Sequence, residues 1–375
     1  MSPMPHRSWS ELHKASETIA IKAEREARDG KIDQAALLYG QAAALEQKAL
    51  VTLEPAQQRT KGITAVSAVA LWYKANQFER AERLAYEMLA DANLPEFARK
   101  GLRDLVQAIW TESSMQEAKA KFLPGHVLVS IRGGEVTTGG APLDVVVSKV
   151  QTIQSMFYRT VEFMRGSPFR LRGAASDDIQ ETCRPWLLQA APGSYQFSVA
   201  IEQPKQMGLF DEQLGADGVA EHFLRILKAA TSSEPGLLEE VVPQEDYRNA
   251  FLKLSRNLSP TGKTFESIEF KTPTSGTTVS LTPEARTAIN QVIKKSRTNA
   301  PDEGEELTEE CIGILRGVHL EKDWLEMIVD GKTVRVNGLQ DTMDDVIGPM
   351  VNKKVKVSAG RTSKGLRFRD IELED

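Results

Sequence analysis

The feature that most constrains this chain is an internal repeat. Gly30-Lys-Ile-Asp-Gln-Ala-Ala-Leu-Leu-Tyr39 aligns with Asn76-Gln-Phe-Glu-Arg-Ala-Glu-Arg-Leu-Ala85, an offset of 46 residues (76 minus 30). Each block lies between two stretches whose apolar residues recur at helical spacing, so the repeated unit is helix–turn–helix. Gly30 and Asn76 suit the turn because both tolerate a left-handed backbone. Ile32 and Phe78 are expected to plug the gap between the paired helices. Ala35 and Ala81 are expected to let those helices approach closely. A helical hairpin cannot bury its apolar face alone, so such units stack on one another.

The second unit, Leu71-Trp-Tyr-Lys-Ala-Asn-Gln-Phe-Glu-Arg-Ala-Glu-Arg-Leu-Ala-Tyr-Glu-Met-Leu89, resembles the tetratricopeptide repeat. Pro95 falls near where that family often closes its second helix. The first unit, Ala23 to Leu50, also resembles the three-helix microtubule-interacting-and-trafficking domain. The offset exceeds the tetratricopeptide period of about 34, so the first pair needs longer helices or a longer link. The resemblance implies a protein-binding surface, with Tyr39, Trp72, Tyr73 and Phe78 as its candidate residues. Basic and acidic residues balance across 1–115, so charge does not select the partner.

Composition is that of a globular protein, with 41% hydrophobic and 26% charged residues in 375. The formal charge of −5 gives no global pull toward nucleic acid. The N-terminal residues lack the apolar run of a signal peptide, and no stretch approaches a membrane span. The two cysteines, Cys183 and Cys311, form no C-x-x-C pair, which excludes a disulfide scaffold and a cysteine-rich zinc site. A cytoplasmic location is expected, without membrane association. The fold class is multidomain α+β. A helical-repeat domain spans 1–115, a central α+β domain 116–297, a linker 298–306 and a small β-barrel-like domain 307–375.

In the central domain a strand at His126–Arg132 leads through Gly133-Gly-Glu-Val-Thr-Thr-Gly-Gly140 into a long amphipathic helix, Leu143–Arg165. A short helix follows at Asp177–Arg184, capped by Ser176. Trp186–Ala190 and Ser194–Glu202 read as a strand pair around Ala191-Pro-Gly-Ser194. Gly218–Ala230, Leu237–Val241 and Gln244–Leu258 read as helices. Phe265–Lys271 and Thr277–Leu281 form a hairpin around Thr272-Pro-Thr-Ser-Gly276, followed by a helix from Thr282.

The catalytic templates fail one by one. Gly134-x4-Gly139 is not followed by the Lys and Ser/Thr that a phosphate loop needs. Gly262-Lys-Thr264 has those residues but has Asn257 where the first glycine belongs. Gly193-Ser194 lacks the glycine two residues after the serine that a nucleophile elbow carries. No two of the five histidines have the spacing of a helical zinc site. Glu269-Phe-Lys271 puts an acid and a lysine on one face of a strand and resembles the core of restriction-like nucleases. Such enzymes also need an upstream acid. Glu266 points to the opposite face, and Glu245 and Asp246 come next. A metal-dependent nuclease using Glu269 and Lys271 is therefore a remote alternative, and neither cofactor nor metal is expected.

After the linker, Glu310–Leu320, Trp324–Val329, Lys332–Val336, Lys354–Ala359 and Arg367–Leu373 read as five short strands. Asp330-Gly331 is expected as a type I′ turn, and Gln340–Val346 as a helical turn. The layout resembles an SH3-like or OB-like barrel. Val351–Arg369 is rich in basic residues and holds no acid. Alternation with Val355, Val357, Leu366 and Phe368 would turn Lys354, Lys356, Arg367 and Arg369 outward as a phosphate-binding hairpin. The leading expectation is a non-catalytic adaptor for a protein partner. A nucleic-acid-associated regulator using this basic hairpin is the alternative.

Overall fold

A computed structural model describes residues 8–118, 121–137, 139–188, 195–203, 218–232, 234, 236–272, 276–298, 308–339, 342–363 and 365–374. The expected turn at 191–194, most of the 298–306 linker and the start of the helical turn at 340 lie outside them. So do the central residues of the turn at 272–276. The chain divides into two compact units, one helical and ending near residue 118, the other mixed α+β.

The helical unit contains α1 (Trp9–Arg28), α2 (Ile32–Val51), α3 (Gln58–Lys74), α4 (Phe78–Leu89) and α5 (Glu96–Glu117). Ser8 starts α1 with a capping box, exchanging hydrogen bonds with Glu11. The repeat is visible in how α1 and α3 end. Gly30 (φ +77°) and Asn76 (φ +55°) are both left-handed. In each, the next amide reaches back five residues: Lys31 N donates to Glu26 O at 2.9 Å and Gln77 N to Trp72 O at 3.0 Å. The two turns are the same Schellman-type stop. Between the two turns lie α2 of 20 residues, the link 52–57 and α3 of 17 residues, which with the turn residues themselves make up the 46-residue offset.

Ala35 and Ala81 are buried at the close approaches, and Phe78 packs its ring 5.8 Å from Tyr73. Ile32 does not plug its hairpin. It is the first residue of α2 and points to solvent at 59% exposure. Pro95 caps α5 rather than closing α4. Gly62 of α3 faces Ala98 of α5 so closely that a Cβ at 62 would lie 2.9 Å from the Ala98 Cβ.

The second unit opens with β1 (Phe122–Arg132), α6 (Leu143–Met164), α7 (Asp177–Thr182), β2 (Pro185–Leu188) and β3 (Tyr195–Glu202). It continues with α8 (Val219–Thr231), α9 (Leu237–Val241), α10 (Glu245–Leu258), β4 (Ser267–Lys271), β5 (Thr278–Leu281) and α11 (Pro283–Thr298). The strands form a sheet in the order β2-β3-β1-β4-β5. Val127, Val129 and Ile131 of β1 and Phe197, Val199 and Ile201 of β3 give one sheet face to the helices. Phe157 of α6 stacks on Phe223 of α8 at 4.4 Å, and Phe223 meets Phe270 of β4 edge-on at 5.5 Å. Ser176 caps α7 and Thr282 caps α11. The glycine-rich stretch after β1 is a turn folded onto 264–266. Glu135 N donates to Thr264 O at 2.9 Å, and a Cβ on Gly134 (φ +62°) would lie 2.4 Å from that oxygen.

The barrel comprises β6 (Thr308–His319), β7 (Trp324–Val329), β8 (Lys332–Asn337), α12 (Asp344–Ile347) with a 3₁₀ turn at Gly348–Met350, β9 (Lys354–Thr362) and β10 (Gly365–Leu373). It closes in the order β10-β8-β7-β6-β9. Only the β10/β8 seam is parallel, and a short helix lies between β8 and β9. That connectivity is OB-like rather than SH3-like. Asp330 (φ +47°) and Gly331 (φ +76°) both have positive φ, as a type I′ turn requires.

The barrel shares one buried core with the preceding α+β region, from Leu123 through Phe251 to Leu325 and Ile371. Charged contacts line the seam between them. Arg159 of α6, fully buried, donates from Nε to Asp345 Oδ2 at 2.7 Å, and Arg170 reaches Asp345 and Glu162. Arg256 of α10 binds Asp370 at 2.6 Å and the Ile371 carbonyl, while Arg286 of α11 binds Glu372 at 3.0 Å. Removing one partner of such a buried pair strands the other charge, at a cost of about 3–5 kcal/mol.

Candidate functional site

The four residues expected on a protein-binding surface serve the interior of the helical unit. Tyr39 and Trp72 are buried. The Trp72 indole donates to Gln47 Oε1 at 3.0 Å, with the Arg80 guanidinium 5.0 Å from its ring. The Tyr73 hydroxyl donates to Glu112, and burial together with that carboxylate pushes its pKa well up. Tyr73 and Phe78 are partly buried against the same core. On the surface of this unit, Arg59, Ile63, Pro95 and Phe97 line an open groove. Ile63 and Phe97 are about half exposed, at 49% and 50%. Gly62 borders the same α5 residues, since a Cβ there would lie 3.3 Å from the Phe97 ring and 3.4 Å from Pro95 Cδ.

The four cations expected on a basic hairpin are divided by the structure. Lys356 is tied to Glu372 at 2.8 Å, within the seam that also holds Arg286. Its hydrogen bond to that carboxylate raises its pKa against the opposing effect of burial. Lys354 is exposed at the end of β9. Arg369 sits at a β-bulge and donates to Thr308 Oγ1 at 2.8 Å. Arg361 pairs with Glu309 at 2.9 Å. Acids from β6 and β10 thus meet cations that stand in an acid-free stretch of sequence. Arg367 has different neighbours, because it is in register with Asn337 across the parallel seam.

That register makes a row. His319 pairs with Trp324, Trp324 with Asn337 and Asn337 with Arg367, so the four stand side by side across β6, β7, β8 and β10. The buried residues of β7 and β8, Leu325, Met327 and Val336, are the alternate ones, so the row lies on the outer wall. Arg335 lies over the Trp324 ring, its guanidinium carbon 4.1 Å from the centroid, and the His319 ring is 5.7 Å away. Sequence reasoning missed Trp324, although the two-residue turn at 330–331 already implies its pairing with Asn337. Arg367 joins the row only through the parallel seam, which no local pattern announces.

Glu269 and Lys271 do share one face of β4, with Ser130 and Leu128 as their β1 partners. The near cation of Glu269 is Arg132, 3.5 Å away. The Gln196 amide donates to Ser130 Oγ at 2.9 Å in the same cross-strand row. Glu266 N donates to Arg132 O, and the Glu266 side chain closes on Gly133. Among the described residues, no three acidic, histidine or cysteine side chains come together as a metal site. Lys263, from the second phosphate-loop-like stretch, pairs with Glu374 at 3.0 Å. Both cysteines are buried thiols. No described helix is long and apolar enough to cross a membrane.

Comparisons with protein families, with curated proteins and with solved structures found no match for this chain.

Proposed function

We propose that the chain is a non-catalytic interaction protein whose helical unit receives a protein partner in the groove between α3 and α5. The observation that carries this reading is the pairing of two half-exposed apolar side chains, Ile63 and Phe97, on a surface where Arg59 supplies a charged rim. Clustered exposed apolar groups beside polar ones mark interaction sites more often than scattered ones do. The partner in this reading inserts an apolar side chain between Ile63 and Phe97 and carries an acidic group for Arg59.

The test is capture of partners by the full chain, comparing wild type with Phe97→Asp and Ile63→Asp. A stoichiometric partner retained by wild type and lost in both variants, with unchanged thermal melting, supports the groove. A partner that both variants retain places the contact surface elsewhere.

A further inference from the structure

We propose that the outer edge of β5 pairs with the same strand of a second copy of this chain, joining two sheets about a two-fold axis at Val279. This goes beyond the partner-binding role of the helical unit and stands independently of it.

β5 ends the sheet order β2-β3-β1-β4-β5, so it is paired along one edge only. Its hairpin with β4 fixes which backbone groups face outward. Thr272 N donates to Thr277 O at 3.1 Å, and hydrogen-bonded and non-hydrogen-bonded pairs alternate along an antiparallel ladder. Phe270–Val279 and Ile268–Leu281 therefore exchange the ladder bonds, while the N–H and C=O of Thr278 and Ser280 point away from β4. Those groups meet no partner among the described residues. The Thr278 and Ser280 side chains are exposed, whereas Val279 and Leu281 are buried in the core. Natural edges commonly carry a lysine, a proline or a bulge that blocks further pairing. β2, at the other end of the sheet, opens with Pro185. Thr278-Val-Ser-Leu281 has none of these guards and no charge.

A two-fold axis at Val279 sets Thr278 opposite Ser280 of the second copy, and the outward groups of both chains are then satisfied in four hydrogen bonds. The hydroxyl side chains face one another on the exposed side and the two Val279 side chains on the buried side, cross-strand pairs that support a ladder. One strand further in, Glu269 stands opposite Ser280 and Lys271 opposite Thr278. Each row across the joint therefore runs Glu269–Ser280–Thr278–Lys271 and brings no like charges together. A charged peptide would find no countercharge on this strand, whereas a second copy matches it group for group. A joint of four-residue strands is small, so the dimer is a weak one that forms at high concentration.

The experiment is sedimentation of the full chain from about 1 μM to about 1 mM, the range of weak association. Wild type is expected to pass from monomer to dimer within it. Ser280→Pro removes an outward N–H and spares the β4 ladder, so two of the four joining bonds are lost and association should weaken roughly tenfold or more. Ser280→Lys gains Glu269 as a cross-strand neighbour and should weaken the dimer by placing a charge in the joint. Thermal melting at low concentration checks that each variant keeps its fold, and if Ser280→Pro melts early, Ser280→Lys carries the comparison. Cysteines read the register. Thr278→Cys mixed with Ser280→Cys should give a disulfide-linked dimer under oxidised glutathione, and either variant alone should give little, because the native thiols are buried. The proposal is overturned by a monomer at every concentration, by wild-type association in the folded Ser280 variants, or by cross-linking in the mixture no greater than in each variant alone.

Discussion

Arg159 and Asp345 meet across 186 residues of sequence, the arginine Nε donating to the carboxylate at 2.7 Å. The arginine is fully buried on α6, and its partner lies on the short helix between β8 and β9. Asp345→Ala should therefore cost about 3–5 kcal/mol, since both Arg159 and Arg170 would lose their shared carboxylate. Because the α+β region and the barrel share a core, the loss should appear as one lowered transition for both. Two separated transitions in denaturant, with the barrel unaffected, would contradict a shared folding unit.

Acid should loosen the same seam. Burial pushes the Glu372 carboxyl pKa up, but the Lys356 hydrogen bond and the charges of Arg256 and Arg286 outweigh it and hold it below its ordinary value. A folded pKa below the unfolded one stabilises the protein above the unfolded pKa of about 4.3. That contribution is lost as pH falls through the folded pKa. Urea midpoints from neutral pH to about pH 3 should fall more steeply in wild type than in Glu372→Gln. Parallel acid limbs would show that Glu372 carries none of the effect.

Gly62 reverses a common rule. Glycine to alanine inside a helix ordinarily adds up to about 1 kcal/mol of stability. Here the new methyl group would sit 2.9 Å from the Ala98 Cβ and 3.3 Å from the Phe97 ring. Gly62→Ala should destabilise the helical unit by about 1–3 kcal/mol, because overpacking outweighs propensity. A raised melting temperature in this variant would mean that α5 can move away freely.

Asn76 tests the turn shared by the two hairpins. Its φ of +55° penalises any residue with a Cβ, and asparagine tolerates it better than most. Asn76→Ala should cost about 1 kcal/mol, and Asn76→Gly should be neutral or better. Equal melting temperatures for the two variants would argue that the turn relaxes out of the left-handed region.

What the sequence determined by itself was local. The repeat at 30 and 76, the Ser176 and Thr282 caps, the Asp330-Gly331 turn and the alternation of β7 and β9 are each written within a few neighbouring residues. Backbone sterics and hydrogen-bond periodicity act over that range, so the elements and the five-stranded layout were legible. Side-chain surroundings were not. Trp72 and Tyr39 read as binding residues and are core, while Ile32 read as a plug and is exposed. Lys356 and Arg369 read as outward cations of an acid-free stretch, and their partners Glu372 and Thr308 come from neighbouring strands. Only the tertiary structure decided that Arg367 stands beside Asn337, that Asp345 reaches Arg159 and that Phe97 opens beside Ile63. Burial and charge pairing depend on which distant segments the closed sheet and the crossing helices bring together, and the energy of those contacts resides in the pair rather than in either stretch of sequence.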